Sequence, residues 1–123
     1  MRALVIDDDP EILLIISSIL TRFGYEVITA SDGQEGLDRL TEFGPPDVIL
    51  VDWIMPVMNG LEFVKFVRKK PMFDGLPIIM VTTELEMSQL ALTFDAGVSE
   101  YIMKPFEPIM IQEKLKMVGV VAL

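Results

Sequence analysis

Asp47-Val48-Ile49-Leu50-Val51-Asp52 is an unbroken apolar run between two aspartates. A run of that length without polar alternation reads as a strand buried on both faces, which antiparallel sheets rarely need and parallel sheets require. The pattern recurs. Ala3-Leu4-Val5-Ile6 ends at Asp7-Asp8-Asp9, and Leu76-Pro77-Ile78-Ile79-Met80-Val81 ends at Thr82-Thr83. Tyr25 to Ala30 alternates more, as an edge strand does, and Glu100 to Met103 is a short strand ending at Lys104-Pro105. Helical stretches fall between them. One starts at Pro10 behind an Asp8 or Asp9 cap and runs to about Phe23, where Gly24 stops it. Others run from Ser31-Asp32-Gly33 to about Phe43, Gly60 to Lys70, Met87 to Phe94 and Pro108 to Val118. Five strands thus alternate with five helices along residues 1–123 as one domain, with no repeat or linker. Such alternation predicts an α/β fold, a parallel sheet doubly wound by right-handed crossovers.

Composition narrows the chemistry. The chain of 123 residues carries no His and no Cys, which excludes a zinc site of the usual nitrogen and sulfur ligands, a thiol nucleophile and an imidazole base. Ten basic residues stand against 19 acidic ones, a net charge of −9 that argues against nucleic acid as a partner of this domain. No apolar run approaches the roughly 20 residues a bilayer requires. The acidic N-terminal stretch is not a secretory signal. A soluble, cytoplasmic protein is expected.

In a doubly wound sheet, ligands bind beyond the carboxyl ends of the strands. Asp7 and Asp8 end the first strand, Asp52 the third, Thr82 the fourth and Lys104 the fifth. Three carboxylates at one edge repel one another unless a cation joins them, and oxygen-only ligands suit Mg²⁺. A Lys and a hydroxyl opposite could hold phosphoryl oxygens, and a central carboxylate could attack phosphorus.

These residues, with Trp53-Ile54-Met55-Pro56, Met58-Asn59-Gly60, Tyr101 and Lys104-Pro105-Phe106, resemble the receiver domains of two-component response regulators, especially single-domain chemotaxis-type ones. The resemblance spans essentially the whole chain. It implies a flavodoxin-like (βα)5 sandwich whose five-stranded parallel sheet is ordered 2-1-3-4-5. It implies that Asp52 accepts phosphate from a sensor histidine kinase or histidine phosphotransfer protein, without the chain being an enzyme. Asp8, Asp52 and the Ile54 carbonyl would ligate Mg²⁺, with Asp7 acting largely through water. Lys104, joined to Pro105 by a cis bond, would pair with the phosphoryl oxygens. Thr82 would hydrogen-bond the phosphate, and Tyr101 would turn inward behind it. The surface of the fourth helix, fifth strand and fifth helix would then meet a downstream protein target or effector domain, in a monomer or a phosphorylation-dependent dimer.

Two positions, Ile54 and Thr83, depart from the chemotaxis-type pattern. Ile54 stands where a polar residue is usual and should hinder the water that hydrolyses the acyl phosphate. Glu84 could offset this by orienting water or pairing with Lys104. Thr83 is larger than the usual neighbour of the switch hydroxyl and narrows the pocket. On the first helix, Ile12, Ile15, Ile16 and Ile19 are expected to cover the sheet, leaving Leu13 and Leu14 partly outward, either as stray surface residues or as a docking patch. Met110 and Met117 pose the same alternative on the last helix.

Two rival readings follow from the same residues. Val5-Ile6-Asp7-Asp8-Asp9 also fits the strand and Asp-x-Asp signature of haloacid-dehalogenase-type phosphatases, with Asp7 as nucleophile and Asp9 as acid. That family normally has a longer chain with a cap, and it leaves Asp52 without a role. The other rival is a receiver-fold interaction module that no longer takes phosphate.

Overall fold

The computed structural model describes residues 1–83 and 87–120. Five strands, β1 (Arg2–Ile6), β2 (Glu26–Ala30), β3 (Val48–Asp52), β4 (Ile78–Thr82) and β5 (Glu100–Met103), form one sheet in the order β2-β1-β3-β4-β5. Every neighbouring pair is parallel. Five helices separate them: α1 (Pro10–Arg22), α2 (Gly33–Phe43), α3 (Gly60–Arg68), α4 (Met87–Ala96) and α5 (Pro108–Met117). The expected fold class and strand order are therefore those observed.

The pleat sorts the core into two layers. Leu4, Ile6, Ile49, Val51, Ile78 and Met80 pack on Phe63, Val64 and Val67 of α3 and on Leu40 of α2. Ala3, Val5, Val48, Leu50, Ile79 and Val81 face the other way, onto Ile16, Ile19 and Leu20 of α1 and Ile111 and Leu115 of α5. All five residues of β3 are buried, as its uninterrupted apolar run requires.

Several details differ from the sequence expectation. On α1 the exposed pair is Leu14 and Ile15, while Leu13 packs against the core and Leu20 is fully buried. Ile15 lies about 100° around the helix from the central Ile16, so only residues 12, 13, 16, 19 and 20 share the inward stripe. Tyr25 is not part of β2; it is buried before the strand, its hydroxyl donating to the Val120 carbonyl at 3.4 Å. α3 stops at Arg68, and a 3-10 turn, Pro71–Phe73, follows before β4. β4 begins at Ile78, after Pro77, whose ring nitrogen cannot donate to a sheet.

Candidate functional site

Register decides what meets at the carboxyl edge. Ile6 pairs with Val51, so Asp7 and Asp52 follow side by side, and both continue the face of Val5 and Leu50. On β5, Thr82 pairs with Met103, and Lys104 continues the face of Ile102. Asp7, Asp52 and Lys104 therefore project from three strands towards the same side.

Side-chain geometry follows that placement. The Lys104 Nζ donates to Asp7 Oδ2 at 2.8 Å and lies 3.6 Å from Asp52 Oδ1. Asp7 is 1% exposed, and its Oδ1 accepts the Asp9 backbone N–H at 2.9 Å. Asp8 is exposed. Asp9 is the N-cap of α1, its carboxylate accepting the Glu11 N–H at 2.9 Å. One ammonium thus faces three converging carboxylates. Burial pushes the Asp52 carboxyl up to about 6, the charge of Asp7 adds to the rise, and Lys104 and the Trp53 N–H oppose it.

Carboxylate oxygens of Asp7, Asp8 and Asp52 lie within 4.8 Å of one another. Trans oxygens around an octahedral Mg²⁺ are about 4.2 Å apart, so the set fits such an ion with small side-chain adjustments. The hard-oxygen donor set and the surplus negative charge both favour it.

Backbone details fix the loop behind Asp52. A Cβ on Gly60 would overlap the Asp52 carbonyl oxygen, and the Gly60 N–H donates to Trp53 O at 2.8 Å. Only glycine permits α3 to start this close to the strand end. Asn59 caps α3 reciprocally with Glu62. Val57, 81% exposed, holds φ at 68°, a left-handed conformation that a β-branched residue adopts only when its surroundings impose it. Met55 is buried and anchors the loop's apolar side. Neither the strain at Val57 nor the close approach at Gly60 is legible as such in the sequence.

Thr82 is buried at the end of β4, on the opposite pleat face to Asp52. A cavity of about 250 Å³ opens beside it, lined by Trp53, Ile54, Thr82, Thr83 and Gln89. Gln89 was not foreseen, since an exposed polar residue on a helix carries no sequence signal. The Ile54 side chain lines that cavity and is 71% exposed. Glu84 lies outside the described residues. Tyr101 shares the face of Thr82 but sits further down the sheet, opposite Met80. Its half-buried ring meets Phe94 edge-on at 6.5 Å, and the Lys114 ammonium lies 5.0 Å above it. The Lys104–Pro105 bond is cis. The structure thus gathers Asp7, Asp8, Asp52 and Lys104, sets Thr82 at their border, and leaves Tyr101 apart.

The response regulator receiver domain matches residues 3–116. A chemotaxis protein CheY homolog of Campylobacter jejuni is 44% identical over 117 residues, 94% of this chain and 90% of that protein. Chemotaxis protein CheY1 of Helicobacter pylori is 43% identical over 119 residues, covering 96% of each chain. Among solved structures, chemotaxis protein CheY4 of Vibrio cholerae superposes with a TM-score of 0.90 at 38% identity, covering 95% of this chain and 97% of that one.

Proposed function

The chain belongs to the response regulator receiver domain family, and from that premise we propose that Asp52 takes a phosphoryl group from a phosphohistidine of a partner kinase or phosphotransfer protein. The observation that carries this reading is the charge imbalance at the strand ends. Three carboxylates converge on one another with, among the described residues, a single ammonium beside them, and the central one is pushed up to about 6. Such an arrangement is costly unless the site takes on positive charge and phosphoryl oxygens in function.

An Asp52 carboxylate oxygen attacks phosphorus; the nitrogen–phosphorus bond breaks, and its electron pair returns to the departing imidazole, which takes up a proton. Asp7, Asp8 and Asp52, with the Ile54 carbonyl, are the groups that would hold Mg²⁺, which when bound neutralises charge on the transferring group. Lys104 supplies the other cation, moving from Asp7 towards the phosphoryl oxygens. Thr82 donates its hydroxyl to the phosphoryl group from the border of the site. Tyr101, which shares its pleat face, exchanges its place between Phe94 and Lys114 for an inward one. That shift alters the face built from α4, β5 and α5, where Met103, Ile109, Met110 and Met117 are exposed, and a downstream protein reads it.

The phosphatase reading fares worse on one point. Its acid would be Asp9, whose carboxylate is engaged as the α1 cap. No helix among the described residues is long and apolar enough to cross a membrane, in keeping with the cytoplasmic placement proposed. Incubation with acetyl phosphate and Mg²⁺, followed by peptide mass mapping, tests the assignment. A hydroxylamine-labile adduct on Asp52 is expected, and it disappears when Mg²⁺ is chelated. An adduct elsewhere, or none, overturns the reading.

A further inference from the structure

Four of the ten basic residues lie within the six-residue stretch Lys65–Lys70, at the end of α3 far from the acidic pocket. Arg68 turns inward. Its guanidinium donates to the carbonyls of Phe73 at 2.8 Å, Leu76 at 2.6 Å and Gly97 at 3.0 Å. Lys65, Lys69 and Lys70 stay exposed. Among the described residues none of the three is in a salt bridge, although Arg2, Arg39, Lys104 and Lys114 all are. The Lys69 ammonium lies 5.4 Å above the exposed Phe66 ring.

The last of these lysines, Lys70, also lines a groove of about 320 Å³ between the second half of α2 and the 3-10 turn. Leu37, Leu40, Met72 and Phe73 make it largely apolar, and Thr41 and Lys70 stand at its rim. Its size is at the low end of the roughly 300–1,000 Å³ of small-ligand sites, enough for one or two apolar side chains of a partner.

A cationic last turn suits a helix dipole, but Lys69 and Lys70 lie beyond α3, and the dipole acts only within the last turn. Nor does a chain with net charge −9 require more lysine to remain soluble. We propose that the groove between α2 and the 3-10 turn docks a short acidic segment of a partner protein, its apolar side chains on Leu37, Leu40 and Phe73 and a carboxylate on Lys70, with Lys69 and Lys65 adding positive field at longer range. Charge complementarity chooses this occupant. A nucleic acid or an anionic membrane extends past the patch and meets the negative remainder of the molecule. A short segment stays within a Debye length of about 8 Å of the lysines. The site is independent of phosphoryl transfer, which happens at the other end of α3.

The test is titration of the full chain with a short fluorescent peptide of glutamates flanking one Leu-Phe pair, followed by anisotropy and amide chemical shifts. Shifts are expected at Leu37, Leu40, Thr41 and Met72. Affinity should drop about tenfold or more in a Lys65→Gln, Lys69→Gln, Lys70→Gln variant, and similarly between about 0.1 M and 1 M salt. Thr41→Asp, which places a negative charge on the rim, should weaken it too. Circular dichroism and phosphoryl-adduct formation verify that each variant is folded. Unchanged affinity in the lysine variant overturns the proposal, as do shifts confined to the α4–β5–α5 face. Capture by anionic phospholipid vesicles with no peptide binding overturns it as well.

Discussion

Buried charge occurs at both ends of α3, with opposite outcomes. At the amino end, Asp7 and Asp52 are buried with Asp8 beside them, and among the described residues Lys104 alone supplies positive charge. At the carboxyl end, Arg68 is half-buried, and three backbone carbonyls receive its N–H groups, with Asp74 adding a favourable field. Burial pulls the Arg68 guanidinium down from its ordinary value, but every contact it makes is attractive. A charge satisfied by its own chain is a strut, here tying α3 to the turn before β4 and to the loop after α4. A charge left among like charges is a site, because only something from outside balances it.

The largest test of that contrast is Asp52→Asn. It removes the adduct entirely, checked by mass mapping after acetyl phosphate. It should also stabilise the metal-free protein at pH 7 by about 1 kcal/mol once solvent screening is allowed for, measured by urea unfolding. The sign follows from the raised carboxyl. Its ionised form is disfavoured in the folded chain, so its contribution to stability is full below its ordinary value of 3.8 and is lost as pH rises through about 6. The gain from Asn should therefore vanish below about pH 4. A destabilising Asp52→Asn at pH 7 would break the comparison.

Arg68→Met is next. It strips three carbonyls of their donor, and a loss of about 2–4 kcal/mol in urea unfolding is expected. The rate of adduct formation on folded protein should be nearly unchanged. If that rate collapses while the fold persists, Arg68 is more than a strut.

Smallest is Ile54→Asn. The isoleucine is largely exposed at the cavity beside Thr82, so stability should move by under about 0.5 kcal/mol. The phosphorylated state should decay a few-fold faster, within about the 1.4 kcal/mol that a tenfold change represents, because an amide admits and orients the hydrolytic water. Equal decay rates, followed by loss of the adduct with time, would show that Ile54 is no barrier.

Much of this is legible in the sequence alone. Apolar runs that end in Asp, Thr or Lys specify a parallel sheet and state which groups lie at its carboxyl edge, because strand burial is a property of composition along the run. Asp7, Asp8, Asp52, Lys104 and Thr82 were nameable for that reason. Where a helix points its side chains was less secure: one extra isoleucine on α1 makes several stripes equally apolar, and only contact with the sheet selected residues 12, 13, 16, 19 and 20. Distances were beyond the sequence altogether. That Lys104 sits closer to Asp7 than to Asp52, that Gly60 abuts the Asp52 carbonyl, and that Val57 is strained depend on strand register and loop closure. The same holds for Arg68 and the lysine-rimmed groove. Sequence lists their charges, but which cation turns inward depends on carbonyls contributed by two separate segments, and those meet only in the folded chain.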